Sequence, residues 1–236
     1  MRQRRFAWFE HISSDPIGSA DAWATALGSG WTARSVDLAG APYPMLWWRG
    51  VPSLGFIHGP HAGWTAWALT EDVDAHLAHA LAAGAVLDHP PTDRPGLGRA
   101  AGVITPAGDP LWLYTTHRGA GPCAGAPGAT LLTARRAAAE AFYGALWGER
   151  PFDVPTGAPH TTSAQPTSGE SCAGLSVTAG PVAGWRPRLF AVAPAQTTAW
   201  WATHGGSEQT PGGASFPVVV DREGCAAELV VPAPPA

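Results

Sequence analysis

The sequence predicts an α+β protein in which one β-α-β-β-β unit occurs four times, in two pairs. Two observations carry this. The order strand, helix, three strands runs twice between Phe6 and Thr116, and Gly128 to Val231 passes through it again in a more degraded form. Landmarks also recur in matching places. Gly63-Trp64-Thr65-Ala66-Trp67-Ala68-Leu69 answers Gly184-Trp185-Arg186-Pro187-Arg188-Leu189-Phe190, and Thr105 to Leu113 answers Val220 to Leu229. Self-similarity on this scale constrains the whole fold before any residue is given a job.

Phe6 to Ser13 reads as a strand. Asp15-Pro16 then supplies the N-cap and first residue of a helix to about Leu27, stopped by Gly28 and Gly30. Gly and Pro punctuation separates three further strands at Thr32–Leu38, Tyr43–Arg49 and Ser53–His58. The unit restarts with a strand at Thr65–Leu69 and a helix at Val73–Ala82 that ends on Gly84. Strands follow near Val86–His89, Arg99–Thr105 and Leu111–Thr116. Beyond 119–127, a linker by composition, Ala129–Leu132 is a strand and Ala134–Trp147 the strongest helix. Pro, Thr, Ser and Gly dominate 151–169, which predicts a long loop. Strands at Ser171–Thr178, Leu189–Val192, Phe216–Val220 and Ala226–Val231, with a short helix at Thr197–His204, complete the chain.

The 236 residues suit two domains of roughly 110 to 120 residues, here 1–118 and 128–236 joined by 119–127. Apolar residues make up 45% and charged residues 14%, as in a globular protein, while Gly 29 and Pro 24 imply many turns. A net charge of −4 leaves no footprint for nucleic acid. No apolar run follows Arg2, Arg4 and Arg5 as in a signal peptide, and none approaches the roughly 18 residues of a membrane span. Cys123, Cys172 and Cys225 are an odd number at unrelated spacings, which fits reduced thiols in the cytoplasm. The expectation is a cytoplasmic protein with no nucleic-acid or membrane partner.

Several short stretches carry a family resemblance. They are Ser14-Asp15-Pro16, Glu71-Asp72-Val73-Asp74-Ala75, Pro95-Gly96-Leu97-Gly98-Arg99, and Ala139-Glu140-Ala141-Phe142-Tyr143-Gly144-Ala145-Leu146-Trp147-Gly148. In this order and spacing, the chain resembles the vicinal-oxygen-chelate superfamily of glyoxalase I, extradiol dioxygenases, fosfomycin-modifying enzymes and bleomycin-binding resistance proteins. It looks most like the two-domain, glyoxalase-like proteins of actinobacteria. The resemblance implies two domains with cupped mixed sheets, the second degenerate. Metal-using members place ligands on the first strand, on the strand opening the second unit, and on the last strand. The matching positions here are Trp8, Thr65 and Trp112, then Gly128, Arg186 and Glu228. Only Glu228 is a strong ligand and Arg186 repels a cation, so the resemblance implies a metal-independent protein with no cofactor.

The histidines do not restore a metal site, because no pair has ligand spacing on one strand face. His11 lies one residue off the parity of Trp8 and Glu10 and so faces away from them. His58 ends a strand beside a Gly-Pro turn, either near the cup or on a surface loop.

Aromatic residues stand where ligands would. Twelve tryptophans are far above ordinary usage, and eight lie in the first half. Trp23 and Trp31 read as core. Trp8 with Glu10, Thr65 with Trp67, and Trp112 with Tyr114 share strand faces, and the family pattern turns those faces into the cup. With Trp47 and Trp48 they form the expected ligand-binding set, suited to a flat, hydrophobic, aromatic or polycyclic small molecule. Glu10 among tryptophans reads in two ways, as an acid or base with a raised pKa or as a partner of Arg49, Arg99 or Arg118 at the mouth.

The expected function is a metal-independent binding protein of specialised metabolism that sequesters a natural product or antibiotic. The alternative is a cyclase, isomerase, dehydratase or hydrolase with a polyketide-like substrate, using Glu10 and His58 as catalytic residues. A metal-dependent glyoxalase or dioxygenase is a third reading. A homodimer is compatible with each.

Overall fold

The computed structural model describes residues 6–38, 40–94, 98–116, 128–147, 174–179, 184–209 and 217–230. Among them, in chain order, run β1 (Phe6–Ser13), α1 (Pro16–Leu27), β2 (Trp31–Leu38), β3 (Ala41–Trp48), β4 (Val51–His58), β5 (Gly63–Leu69), α2 (Val73–Ala82), β6 (Val86–Arg94), β7 (Gly98–Ile104) and β8 (Pro110–Thr116). The second half adds β9 (Gly128–Thr133), α3 (Arg136–Trp147), β10 (Gly174–Ala179), β11 (Gly184–Phe190), α4 (Pro194–Thr203), β12 (Ser207–Glu208), β13 (Val218–Val220) and β14 (Ala226–Val230). The architecture is α+β, with two large mixed sheets.

Helix starts follow local chemistry. The Asp15 carboxylate accepts from the Gly18 N–H at 3.0 Å, with Pro16 in the first turn, and the Asp72 carboxylate accepts from the Ala75 N–H at 3.0 Å.

The first sheet has the order β2-β3-β4-β1-β5-β8-β7-β6. At its centre β1 runs parallel to β4 and antiparallel to β5, while β5 runs parallel to β8. The second sheet, β10-β9-β11-β14-β13-β12, has the same pairings at its centre, with β9 parallel to β10, antiparallel to β11, and β11 parallel to β14. The expected loop at 151–169 and linker at 119–127 lie outside the described residues.

Two strands depart from the sequence reading. β6 continues through Pro90 and Pro91 to Arg94 rather than ending at His89. It is an edge strand whose register shifts around His89, where missing N–H groups break no central ladder. β11 spans Gly184–Phe190 rather than 189–192. Pairing to β14 begins only at Arg188, so Pro187 withholds no donor from that ladder.

One apolar core joins both halves. Phe6, Phe9, Trp23 and Trp64 from the first share it with Phe142, Tyr143, Trp185 and Trp201 from the second. α1 packs on α4, α2 on α3, and β5 on β11. Two hairpin turns then cross between the halves in reciprocal fashion. The β7–β8 turn presents buried Asp109, which accepts from the Tyr143 hydroxyl of α3 at 2.7 Å. The β13–β14 turn presents buried Asp221, which accepts from His11 Nε2 of β1 at 2.7 Å and from Trp23 Nε1 of α1 at 3.1 Å.

The opposite face of the first sheet is the cup. A register shift between Phe6 and Trp8 turns Phe6 into the core and leaves Trp8 and Glu10 on the cup face.

Candidate functional site

Strand register builds the cup as rows of side chains. Trp8 on β1 pairs with Trp67 on β5, Trp67 with Trp112 on β8, Trp112 with Gly102 on β7, and Gly102 with His89 on β6. Neighbouring strands lie about 4.8 Å apart, close to the spacing of stacked rings, so the aligned indoles form a ladder. Trp8 stacks on Trp67 with centroids 4.8 Å apart, and Trp67 on Trp112 at 4.8 Å and 8°. Gly102 leaves a gap through which His89 reaches the Trp112 ring at 4.9 Å, and a Cβ there would press on His89. Tyr114 closes edge-on against Trp8 and Trp67. Trp67 is sealed at 1% exposure, whereas Trp8, Trp47, Trp112 and Tyr43 are half-buried and form the rim. The Arg94 guanidinium lies against the ladder, 4.7 Å from the Trp112 centroid and 5.4 Å from that of Trp67.

The next row contains Glu10, 5% exposed, between Thr65 on β5 and Gly55 on β4. Its Oε1 accepts from the Tyr43 hydroxyl at 2.6 Å and its Oε2 from Trp67 Nε1 at 2.8 Å. Gly55 makes the first bond sterically feasible, because a Cβ there would run into the Tyr43 hydroxyl. Burial pushes the Glu10 carboxyl above its usual range. The hydrogen bonds from Tyr43 and Trp67 and the charge of Arg94 pull it back in part. The Trp8 indole N–H approaches the same carboxylate and also favours its charged form, without hydrogen-bonding geometry. Burial, and then the Glu10 charge, holds the Tyr43 phenol well above its usual range, so the shared proton rests on the phenol oxygen. Thr65 Oγ1 and Trp47 Nε1 are buried at the cup without a hydrogen-bond partner.

Of the sequence-predicted site residues, the structure brings Trp8, Glu10, Trp47, Thr65, Trp67, Trp112 and Tyr114 to one face. Two fall elsewhere. Trp48 has the opposite parity on β3 and packs in the core against Trp31 and Phe190, with centroids 5.2 and 5.4 Å away. His58 is exposed at the end of β4, with the parity of core residues Leu54 and Phe56 and not of Gly55. Nor does an expected arginine pair with Glu10. Arg99 binds Asp74 and Asp93, Arg49 lies over Trp48, and Arg118 is outside the described residues.

Tyr43, Arg94, His89 and Gly102 escaped the sequence reading. Tyr43 shares the parity of Trp47 on one strand, a usable signal. Arg94 depends on β6 running past its two prolines, for which the sequence carried no signal, and the stacking of His89 on Trp112 depends on cross-strand register at Gly102.

The cup does not fit a divalent metal of the kind the superfamily implies. Its one carboxylate has both oxygens engaged, Thr65 is a weak donor, and His89 Nδ1 is bonded to Asp88 at the sheet edge. Among the described residues, one trio of ligand-type side chains does converge, His11, Asp221 and Cys225, with ligand atoms within 4.8 Å. It lies on the core face, and Asp221 already accepts four hydrogen bonds, from His11, Trp23 and the N–H groups of Glu223 and Cys225. In the second sheet, burial lowers the pKa of half-buried Arg186 and the charge of Glu228 opposes this.

Solved structures share this architecture. The Mn(II)-bound glyoxalase from Novosphingobium aromaticivorans superposes with a TM-score of 0.63 at 14% identity, over 98% of this chain and 88% of that one. Homoprotocatechuate 2,3-dioxygenase from Arthrobacter globiformis gives 0.64 at 14% identity, over 96% and 79%. The chain has the vicinal-oxygen-chelate fold. No protein-family model matches it. In sequence, the chain is 31% identical to the anthracycline biosynthesis protein DnrV of Streptomyces peucetius over 177 residues, 63% of this chain and 62% of DnrV. The match thus spans less than two thirds of that relative. No helix among the described residues is long and apolar enough to cross a membrane.

Titration of Glu10 carries a stability signature. A carboxyl whose pKa is raised by folding binds more protons in the folded chain than in the unfolded one. Stability is then greatest below the unfolded value of 4.5 and falls as pH rises through the folded value. Urea midpoints of the natural chain and Glu10→Gln, compared from pH 4.5 to 8, should diverge with rising pH by up to about 1.4 kcal/mol per pH unit, the Gln variant losing less. Parallel curves would show that Glu10 does not titrate abnormally.

Proposed function

We propose that this chain binds a flat aromatic natural product in the cup of its first glyoxalase-like domain, residues 1–118, without a metal ion. The domain at 128–236 acts as a structural partner. The row Trp8, Trp67, Trp112 and His89 carries this reading. A rigid ladder of rings with half-buried members at its rim offers a fused aromatic system edge-on and offset ring contacts worth roughly 0.5–1.5 kcal/mol each. The buried, unpartnered Thr65 hydroxyl and Trp47 indole N–H can satisfy oxygens on such a ligand. The similarity to an anthracycline biosynthesis protein supports a polycyclic ligand class of specialised metabolism. The cup's donor set supports a metal-free role.

Sequestration is the leading reading. The pair Tyr43–Glu10 supports a second. A carboxyl desolvated beside a phenol can take a proton from a bound ligand or return one, as cyclisation, isomerisation or dehydration of a polyketide-like substrate requires. The two separate in one experiment. Titration with a soluble tricyclic quinone should quench tryptophan fluorescence with a Kd in the micromolar range, on the order of −8 kcal/mol. Recovery of the quinone unchanged supports sequestration. Turnover lost in Glu10→Gln with binding retained establishes the enzyme. Absence of quenching by tricyclic and monocyclic quinones alike would overturn the proposal, and a stoichiometric Fe, Mn, Zn or Ni ion in the purified protein would overturn its metal-free part.

A further inference from the structure

Three places in the molecule hold groups that the proposed function leaves unused. The small cleft of about 230 Å³ between the end of α1 and the start of α4 has a helix N-terminus but, among the described residues, no buried side-chain polar atom in its lining that lacks a partner. The His11, Asp221 and Cys225 trio lies in the core, and its carboxylate is already filled by four hydrogen bonds from the chain's own groups. Arg94 is different, because it is a cation placed on the ligand platform itself.

We infer that Arg94 anchors an acidic group, a carboxylate or an ionised phenol, on the planar aromatic ligand of the cup. This rests on the aromatic-ligand reading above and narrows its substrate class to aromatic acids. Three observations point the same way. First, the guanidinium packs against Trp67 and Trp112 and forms no ion pair among the described residues. The other charges of its edge strand are already matched, Asp93 with Arg99 and Asp88 with His89. Second, Glu10, the carboxylate within the cup, cannot turn to Arg94 without giving up its bonds from Tyr43 and Trp67. Third, the flat, delocalised guanidinium lies beside the stacked Trp67 and Trp112 rings, at the border of the ligand platform, which leaves its N–H fork placed to grip an oxyanion on a ligand docked there.

The selectivity follows from desolvation. A neutral ring system docked beside Trp112 would strip water from Arg94 and leave its N–H groups without an acceptor, and a cationic one would add repulsion. An aromatic acid supplies the counter-charge in bidentate form. The predicted order of affinity is acid, then neutral amide, then amine.

Anthraquinone-2-carboxylate, anthraquinone-2-carboxamide and 2-(aminomethyl)anthraquinone present one ring system with three charges. Fluorescence titration of the natural chain and of Arg94→Gln and Arg94→Lys should show the acid binding at least tenfold tighter than the amide. Arg94→Gln should erase that difference while changing amide affinity less than threefold, and Arg94→Lys should retain part of it. Equal binding of acid and amide to the natural chain would overturn the inference and leave the aromatic-ligand reading standing. The inference also falls if Arg94→Gln weakens both probes equally, since Arg94 would then support stacking alone. Failure of all three probes to bind would overturn that reading together with the inference. Thermal melting of the two variants within about 2 °C of the natural chain would confirm that binding, not folding, is being read.

Discussion

Asp221→Ala is expected to destabilise the fold by roughly 3–5 kcal/mol, the largest effect of any single polar substitution in the described residues. The carboxylate is 5% exposed and sits at the junction of the two halves. Its removal strands His11 Nε2 and Trp23 Nε1, and leaves the N–H groups of Glu223 and Cys225 without acceptors inside the β13–β14 turn. Each orphaned buried donor costs about 1–3 kcal/mol, and relaxation recovers part of the sum. His11 suffers most, because it is fully buried among Trp64, Phe56 and Trp23 and its Nδ1 has no partner already. Denaturant unfolding should report the loss. Asp221→Asn, which keeps an acceptor for one side, should lose about half as much. A change below about 1 kcal/mol in Asp221→Ala would show that the halves are held by apolar contacts alone.

Trp67→Ala should cost roughly 3–5 kcal/mol and abolish ligand binding as well. Trp67 is the middle rung of the ladder, and its removal opens a cavity between Trp8 and Trp112 while taking the Oε2 donor from Glu10. Trp67→Phe separates the two effects. It keeps a six-membered ring in the stack while losing the five-membered ring and its N–H, so its cost should be smaller, about 1–3 kcal/mol, with much of the binding retained. Urea midpoints paired with quinone titrations would test this. Unchanged quinone affinity in Trp67→Ala would place the ligand away from the ladder.

The fold was legible because it rests on local signals. Asp15-Pro16 and Asp72 cap helices whatever their surroundings, the glycines after α1 and α2 end them, and Phe6–Ser13 reads as a strand that the structure places over those same residues. Legibility failed where a ladder tolerates what propensity forbids. Pro187 and the Pro90-Pro91 pair each interrupt a strand pattern, yet Pro187 lies before the ladder to β14 begins and the Pro90-Pro91 pair falls in a register shift of an edge strand.

For the site, parity along single strands was enough to put Trp8 with Glu10, Thr65 with Trp67, and Trp112 with Tyr114 on common faces. Parity does not say which face a strand presents, and Trp47 and Trp48, adjacent in sequence, necessarily point opposite ways. Only the assembled sheet sends Trp47 to the cup and Trp48 to the core.

The sequence by itself thus determined the α+β class, most element positions and the pairs of aromatic residues that share strand faces. The tertiary structure alone decided the rest, because it depends on contacts between residues remote in sequence. Cross-strand register turned separate tryptophans into one stack ending on His89. Packing brought Tyr43 onto Glu10 across the glycine gap at 55 and Arg94 onto the indoles from the far edge. It also carried Asp221, 210 positions away, to His11. Side-chain type and spacing record what a residue can do, and the register of the sheet decides which partner it does it with.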